Sequence, residues 1–554
     1  MKQFTQSCMT NPLLFLLLIP LLVVPLLFLQ TVAYGQTRFP ESSVVRQKCG
    51  ACHKADPQGY IDVIDFTRKT PEEWKNVVDR MVRLNSAIVT DSEFYVAVKE
   101  LSRNLCLTPR EMAQIAYINS DENSQYVETP QDDTQKRLFT ACVRCHTFGK
   151  IASHRMTAAN WEDIRNLHLG YYPTVIPQMR EMDWATESKD LVPVLAKLYP
   201  FDTPEWQEWM KNRKEPDLTG TWVISGYDPG LGYYEGSYTF KPDPKKGEGE
   251  LLIEKETRYL NGISLKMSGT GTLYGGYHLR YALTSSVTRR IEGVFDLDSG
   301  SGIFTGKWWS VVQDANSQGN ERFARVGGSP GVLAVFPQSL KVSPSATQDL
   351  LIIGANLPEP LKEQDVQFSD ANIQVKKIEK KGASRYLCKV AVGANASVGP
   401  VQLKVKGKPL DGKISIYNKV DGIKIFPALG RARVSCGPAY PPQGVQFVAR
   451  AVSYGKDGKP DTADDLILEP VNAQWTLEEE KTRDNDDDLK YLDTPVPNGL
   501  YTPITTYGPI ESRPQHREGT GLIAIVATYK EGAQEFKGRS LLVTTVPDFI
   551  THIK

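Results

Sequence analysis

The sequence is short of the groups on which most hydrolases depend. It holds only seven histidines in 554 residues. Three of them, His278, His516 and His552, are scattered through the C-terminal part, with no H-E-x-x-H and no nucleophile elbow around them. The zinc-protease and α/β-hydrolase patterns are therefore excluded. An excess of charge is lacking as well: 65 basic residues balance 65 acidic ones, which argues against nucleic acid as a partner. Past the N-terminal leader, no apolar run is long enough to cross a membrane as a helix. The eight cysteines hold no pair of C-x-x-C motifs at zinc-ribbon spacing.

Two pentapeptides stand out instead: Cys49-Gly-Ala-Cys52-His53 and Cys142-Val-Arg-Cys145-His146. C-x-x-C-H is the attachment signature of c-type haem. Each thiol adds across a haem vinyl group to form a thioether, and the adjacent imidazole reaches the iron. Cys49, Cys52, Cys142 and Cys145 are thus expected to hold two haems c, with His53 and His146 as proximal ligands. The leader fits that chemistry. Lys2 precedes an apolar run from Leu13 to Leu29 that is broken by Pro20 and Pro25. Ala33-Tyr34-Gly35 offers small residues for cleavage before Gln36, so residues 1–35 read as a signal peptide and the mature chain as periplasmic. An uncleaved anchor is the alternative. Cys8 leaves with the leader, and Cys106, Cys388 and Cys436 are expected as free thiols.

Residues 36 to 212 read as helical. Thr90-Asp-Ser-Glu93 and Thr108-Pro-Arg-Glu111 are capping boxes. The run Leu191 to Leu198 is expected to form a helix with Pro193 in its first turn. From Leu218 onward, short alternating runs bounded by Gly, Asn, Asp and Pro indicate β-domains.

The helical half contains a repeat. Arg68 precedes Trp74 by six residues, and Met81 follows by seven; Arg155, Trp161 and His168 have the same spacing. Positions i and i+7 share a helix face. Met81 and His168 are therefore the expected distal ligands, giving one His53/Met81 haem and one His146/His168 haem. Met112 rivals Met81, while His154, Met179 and Met182 compete for the second iron. Arg68 and Arg155 are expected to meet haem propionates, and Trp74 and Trp161 to wall the pockets.

The β half carries no strong catalytic constellation. Asp457 to Asp465 has oxygens enough for calcium but not the EF-hand order, and reads as a hairpin loop. Asp484 to Asp488 reads as an exposed acidic loop. Lys307-Trp308-Trp309 reads as core.

Across its length the chain resembles the large alpha subunit of the quinohemoprotein amine dehydrogenase family. The likeness rests on the leader, the two haem motifs with their repeat, and Asp217-Leu-Thr-Gly-Thr-Trp222 opening a β-domain. It continues through Leu350-Leu-Ile-Ile-Gly-Ala-Asn-Leu357, Tyr454-Gly-Lys-Asp-Gly458, Asp464-Asp465 and Ala473-Gln-Trp-Thr-Leu-Glu478. The resemblance implies an α-helical dihaem cytochrome c domain followed by three mainly antiparallel β-domains, the first barrel-like and the next two immunoglobulin-like sandwiches. The corresponding boundaries are 1–35 for the leader, 36–212 for the dihaem domain, and 213–330, 331–418 and 419–554 for the β-domains. It further implies a heterotrimer with a β-propeller subunit and a small subunit bearing cysteine tryptophylquinone. That quinone oxidises primary amines, and electrons pass through the haems to azurin or a small cytochrome c. No residue of this chain is assigned as catalytic. Two other classes remain open at this point: a dihaem peroxidase, which needs one open iron, and a dihaem carrier whose β-domains bind a polymer or a cell-surface partner.

Overall fold

The computed structural model describes residues 39–115, 128–144, 146–170, 175–244, 246, 249–285, 289–310, 318–434, 442–503 and 519–545, with backbone alone at 509–510 and 513–517. The leader, Cys145, Cys436, the Tyr171 turn, the His516 side chain and His552 lie outside the described residues. No described helix is long and apolar enough to cross a membrane.

The chain is helical to Asn212 and mainly antiparallel β beyond it. The helices are α1 (Pro71–Asn85), α2 (Asp91–Asn104), α3 (Pro109–Ala113), α4 (Asp133–Cys142), α5 (Phe148–Ala152), α6 (Ala158–Gly170), α7 (Val175–Gln178), α8 (Trp184–Leu198) and α9 (Pro204–Asn212). Their starts follow from local chemistry. The Thr70 hydroxyl caps α1, Pro71 occupies its first position, and Glu72 and Glu73 face the positive end of the helix dipole. Reciprocal capping boxes open α2 (Thr90 with Glu93) and α3 (Thr108 with Glu111). The helix expected over 191–198 begins earlier than its apolar run. Asp183 caps α8 at Trp184, and Pro193 lies inside the helix rather than in its first turn. Trp184, Ser188 and Leu191 already form its buried face, so packing carries the helix through a residue that removes one of its hydrogen bonds.

Two short strands tie the helices together. β1 (Thr67–Lys69) pairs antiparallel with β2 (His154–Met156), and the register sets Arg68 directly opposite Arg155. The two copies of the sequence repeat thus meet residue for residue at a local two-fold. Each copy organises its own apolar cluster, one around Trp74, Val78, Leu101 and Trp206, the other around Trp161, Leu138, Leu191 and Leu195.

Beyond Asn212, eight antiparallel strands close a barrel: β3 (Gly220–Asp228), β4 (Gly232–Pro242), β5 (Glu250–Tyr259), β6 (Ser264–Tyr274), β7 (His278–Ser285), β8 (Arg290–Asp298), β9 (Ile303–Ser310) and β10 (Gln318–Arg325). β10 pairs with β3, which removes both sheet edges. Gly236 and Gly269 permit the tight curvature: a Cβ at either would lie 1.8 Å or 2.0 Å from the carbonyl oxygen of Glu256 or Ala282. Aromatic rings fill the interior around a buried ion pair. Lys255 Nζ lies 2.6 Å from Glu321, whose carboxylate also accepts from the Tyr234 and Tyr238 hydroxyls. Trp308 and Trp309 are buried, as expected of core.

The next domain packs a four-stranded sheet (Gly331–Phe336, Ser343–Ala355, Arg385–Val392, Ile373–Gly382) against two three-stranded sheets. The last builds a four-stranded sheet (Leu429–Arg433, Gln534–Thr545, Gly521–Glu531, Gln474–Glu479) beside a three-stranded one. In its Asp457–Asp465 loop, Lys424 Nζ sits 3.0 Å from Asp461 and 2.8 Å from Asp465, so an ammonium neutralises these carboxylates. The Asp484–Asp488 run is not a free acidic loop. Arg483 gathers Asp486 and Asp488, and buried Asp488 accepts the Leu522 amide at 2.8 Å. Cys106 and Cys388 are buried free thiols.

Candidate haem sites and the junction between them

In the first lobe, a tight turn shapes the attachment motif. The amides of Cys52 and His53 both donate to the Cys49 carbonyl, at 3.1 Å and 2.9 Å, and this gathers Cys49, Cys52 and His53 on one turn. Glu100 accepts the amides of Val44 and Val45 and so fixes the start of that segment. Burial, with Glu100 and Cys52 adding to it, pushes the Cys49 thiol up to about 11. His53 is partly buried, and Met81 is partly buried on the last turns of α1.

In the second lobe, Cys142 closes α4, and burial pushes its thiol up to about 12. His146 follows on the loop into α5. His168 comes from α6, and the two imidazoles have ring centroids 6.4 Å apart with their planes inclined at 60°. Two imidazoles on one iron need about that separation, two metal–nitrogen bonds of about 2 Å plus the distance from each nitrogen to its ring centre. The hydrogen bonds set the tautomers. His146 Nδ1 lies 3.0 Å from the Thr147 carbonyl, and His168 Nδ1 lies 2.7 Å from the Ile164 carbonyl. A carbonyl only accepts, so each Nδ1 carries the proton and each Nε2 keeps its lone pair for a metal. Burial holds His146 below the usual imidazole range, partly opposed by its bond to the Thr147 carbonyl, and thereby favours the neutral ring that a metal would need. Trp184 stands 5.8 Å from the His168 ring and is anchored by its indole N–H on the Ala141 carbonyl.

Of the competing ligands, Met182 packs partly buried against the apolar cluster of the second lobe. His154 Nδ1 bonds the Lys150 carbonyl at 2.6 Å, inside the junction between lobes. Met112 and Met179 are buried, Met112 within the apolar cluster of the second lobe. Trp74 and Trp161 occupy matched positions: each indole N–H donates to the carbonyl that ends a neighbouring helix, Leu105 at 2.9 Å and Tyr199 at 3.3 Å.

Arg68 and Arg155, expected at haem propionates, take part in a cluster within the chain. Arg68 is fully buried. It grips Glu111 through two nitrogens, at 2.7 Å and 3.0 Å, and donates also to the Phe201 and Cys106 carbonyls. Its guanidinium stacks over Trp206. Arg155 reaches the same carboxylate at 3.1 Å and donates to the Ala152 and His154 carbonyls. Glu111 Oε2 additionally accepts the Thr108 amide at 2.8 Å as a helix cap. Burial pushes this carboxyl up, but the two arginines outweigh it and hold it below the usual range. Glu111 is visible in the sequence only as a capping residue. The signal for its second role is the arginine repeated in both lobes, which needs a buried counter-charge.

A second charged group joins the lobes beside this hub. Glu73 of α1 is buried and accepts from Lys150 of α5, and its Oε2 lies 3.7 Å from His154 Nε2. At the matched position of α6, Asn160 reaches the opposite way. Its amide donates to the Val63 and Phe66 carbonyls and, at 2.9 Å, to the Thr67 hydroxyl.

The haem-binding model of the quinohemoprotein amine dehydrogenase alpha subunit matches residues 40–206, that subunit's domain II model matches 215–322, and its domain IV model matches 423–552. No curated protein matches the chain. Among solved structures, a redesigned beta barrel, mFAP1, bound to DFHBI aligns at 20% identity over 20% of this chain and 94% of its own, with a TM-score of 0.17. A SusE-like surface located polysaccharide binding protein from Bacteroides thetaiotaomicron aligns at 10% identity over 57% of this chain and 61% of its own, with a TM-score of 0.11.

Proposed function

The chain belongs to the quinohemoprotein amine dehydrogenase alpha-subunit family, and from that premise we propose that it is the electron-relay subunit of a periplasmic amine dehydrogenase. It carries two haems c. Cys49 and Cys52 hold the first, with His53 and Met81 as axial ligands. Cys142 and Cys145 hold the second, with His146 and His168. When bound, haem iron supplies one-electron redox cycling. The protein fixes the ligands and their tautomers, and it shields the iron environment with Trp184 and the apolar clusters. Thioether ligation raises potential relative to bis-imidazole, so the first haem is the higher of the two.

The substrate chemistry belongs to a partner. A cysteine tryptophylquinone on a small subunit oxidises a primary amine, and a β-propeller subunit completes the heterotrimer. Azurin or a small cytochrome c takes the electrons away. Residues 1–35 act as the signal peptide that exports the chain.

The observation that carries this reading is the His146–His168 pair, 6.4 Å apart with both Nδ1 atoms committed to carbonyls. It also disfavours a peroxidase whose open iron lies in the second lobe. The test is to add a primary amine anaerobically to the native complex and follow the haem α-band. Reduction of both haems, with a quinone-staining subunit co-purifying, is the expected result. Haems that stay oxidised with amine, in a chain purified alone, overturn the amine reading.

A further inference from the structure

The junction beside the Glu111 hub holds more positive charge than it neutralises. Lys69 of β1 pairs with His154 of β2, whose ring lies 3.7 Å from Glu73; Lys150 of α5 binds Glu73, and Arg80 stands about two turns along α1 from it. Among the described residues Glu73 is the one carboxylate that acts on Lys69. His154 from β2 also faces the group but adds no charge. Burial, reinforced by the three cations, keeps its imidazole neutral. Lys69 is only 7% exposed, and among the described residues its ammonium has no hydrogen-bond acceptor, just the Trp74 ring at 5.9 Å. Arg80 Nε is buried with no hydrogen-bond partner. Unpaired cations cost heavily in such surroundings. Three cations against one carboxylate leave the junction short of two negative charges, and the two propionates of one haem supply that number.

The position selects the haem. Lys150 lies four residues beyond His146, on the helix that follows the second attachment motif, and it is Lys150 that pairs with Glu73. The matched surface of the first lobe is neutral, made of the Val63 and Phe66 carbonyls and the Thr67 hydroxyl, all satisfied by Asn160. We propose that Lys69, Arg80 and Lys150 seat the propionate carboxylates of the haem held by Cys142 and His146, with Glu73 as the internal counter-charge. The inference rests on the dihaem reading above. It differs from a seat at Arg68 and Arg155, most of whose donors are taken by Glu111 and backbone carbonyls. It also accounts for Lys69: burial lowers its amine to about 7, and an adjacent carboxylate would keep it protonated.

The test uses Lys69→Met in the full chain purified as its complex, with three readouts: covalent haem per chain, the midpoint potential of each haem, and the resonance Raman propionate band. Removing a cation disfavours the added electron. The His146/His168 haem should therefore lose about tenfold in its reduction equilibrium, which is about 59 mV for one electron, and its propionate band should move. Lys69→Arg should restore both. Glu73→Gln should shift the same haem in the opposite direction, a sign that general loosening would not give. Lys150→Met repeats the test if Lys69→Met does not fold. Two haems with unchanged potentials, or a shift confined to the His53/Met81 haem, overturn the seat. Fewer than two haems in the unsubstituted chain overturns the dihaem reading itself.

Discussion

At matched positions of the repeat the two lobes carry Arg68 and Arg155, Trp74 and Trp161, yet Glu73 meets Asn160, Met81 meets His168, and Glu72 meets Ala159. The conserved pairs are those that build the frame. The arginines face each other across β1 and β2 and share Glu111, and the tryptophans cap neighbouring helix ends. The divergent pairs are those at which the charges of the junction and the proposed ligands differ. Glu73 places charge on the second lobe, whereas Asn160 returns only neutral donors to the first. Glu72 binds the barrel through His278 at 2.7 Å and Arg280 at 2.5 Å, while its counterpart Ala159 is exposed. A repeated backbone can thus hold two matched lobes in fixed relation while a few side chains make them unequal.

The strongest way to break the comparison is to remove what the lobes share. Glu111→Ala strands two buried guanidiniums, and a loss of about 3–5 kcal/mol is expected. Denaturant unfolding followed at both haems should show the lobes weakening together; weakening of one alone would mean that the hub is not shared. The link from the first lobe to the barrel gives a pH signature. Burial pushes His278 down, but Glu72 and Asp296 outweigh it and raise its pKa from 6.5 to about 9. A raised pKa contributes stability that is full below 6.5 and lost as pH rises through about 9, on the order of 3 kcal/mol. Thermal melts across that window should fall in the unsubstituted chain and stay flat in His278→Gln. The smallest effect sharpens the neutral side. Asn160→Ala leaves the Val63 and Phe66 carbonyls without their donor and should cost about 2 kcal/mol. Both haem potentials should hold in that variant, in contrast with Glu73→Gln.

Much of this asymmetry was legible in the residues. The six- and seven-residue spacings placed Met81 and His168 on matched helices, and the structure brings His168 to His146. The capping boxes at Thr90 and Thr108 form as written. Long-range charge pairing was not legible. Arg68 and Glu111 lie 43 residues apart, and nothing local distinguishes a propionate from a buried glutamate as the arginine's partner. Nothing around Lys69 in the sequence signals its burial, which comes with the β1–β2 pairing and the Trp74 ring. The early start of α8 escaped for a similar reason: its first turn is held by Trp184, whose burial depends on α4 rather than on its own neighbours. Short strands announced β-structure, but closure of the barrel depends on β3 meeting β10, about a hundred residues later.

The pairing of β1 with β2 also orders events in time. Synthesis delivers a chain N-terminus first. The first C-x-x-C-H is complete at His53, and its turn is built from local hydrogen bonds. β1 follows within fifteen residues but has no partner strand until Met156 has emerged, and Arg68 waits for Glu111 and for the Phe201 carbonyl. On the proposed haem reading, the first attachment turn is thus complete in the chain before the partners that close its lobe. Closure of the first lobe waits both for the second copy and for the Phe201–Trp206 segment beyond it.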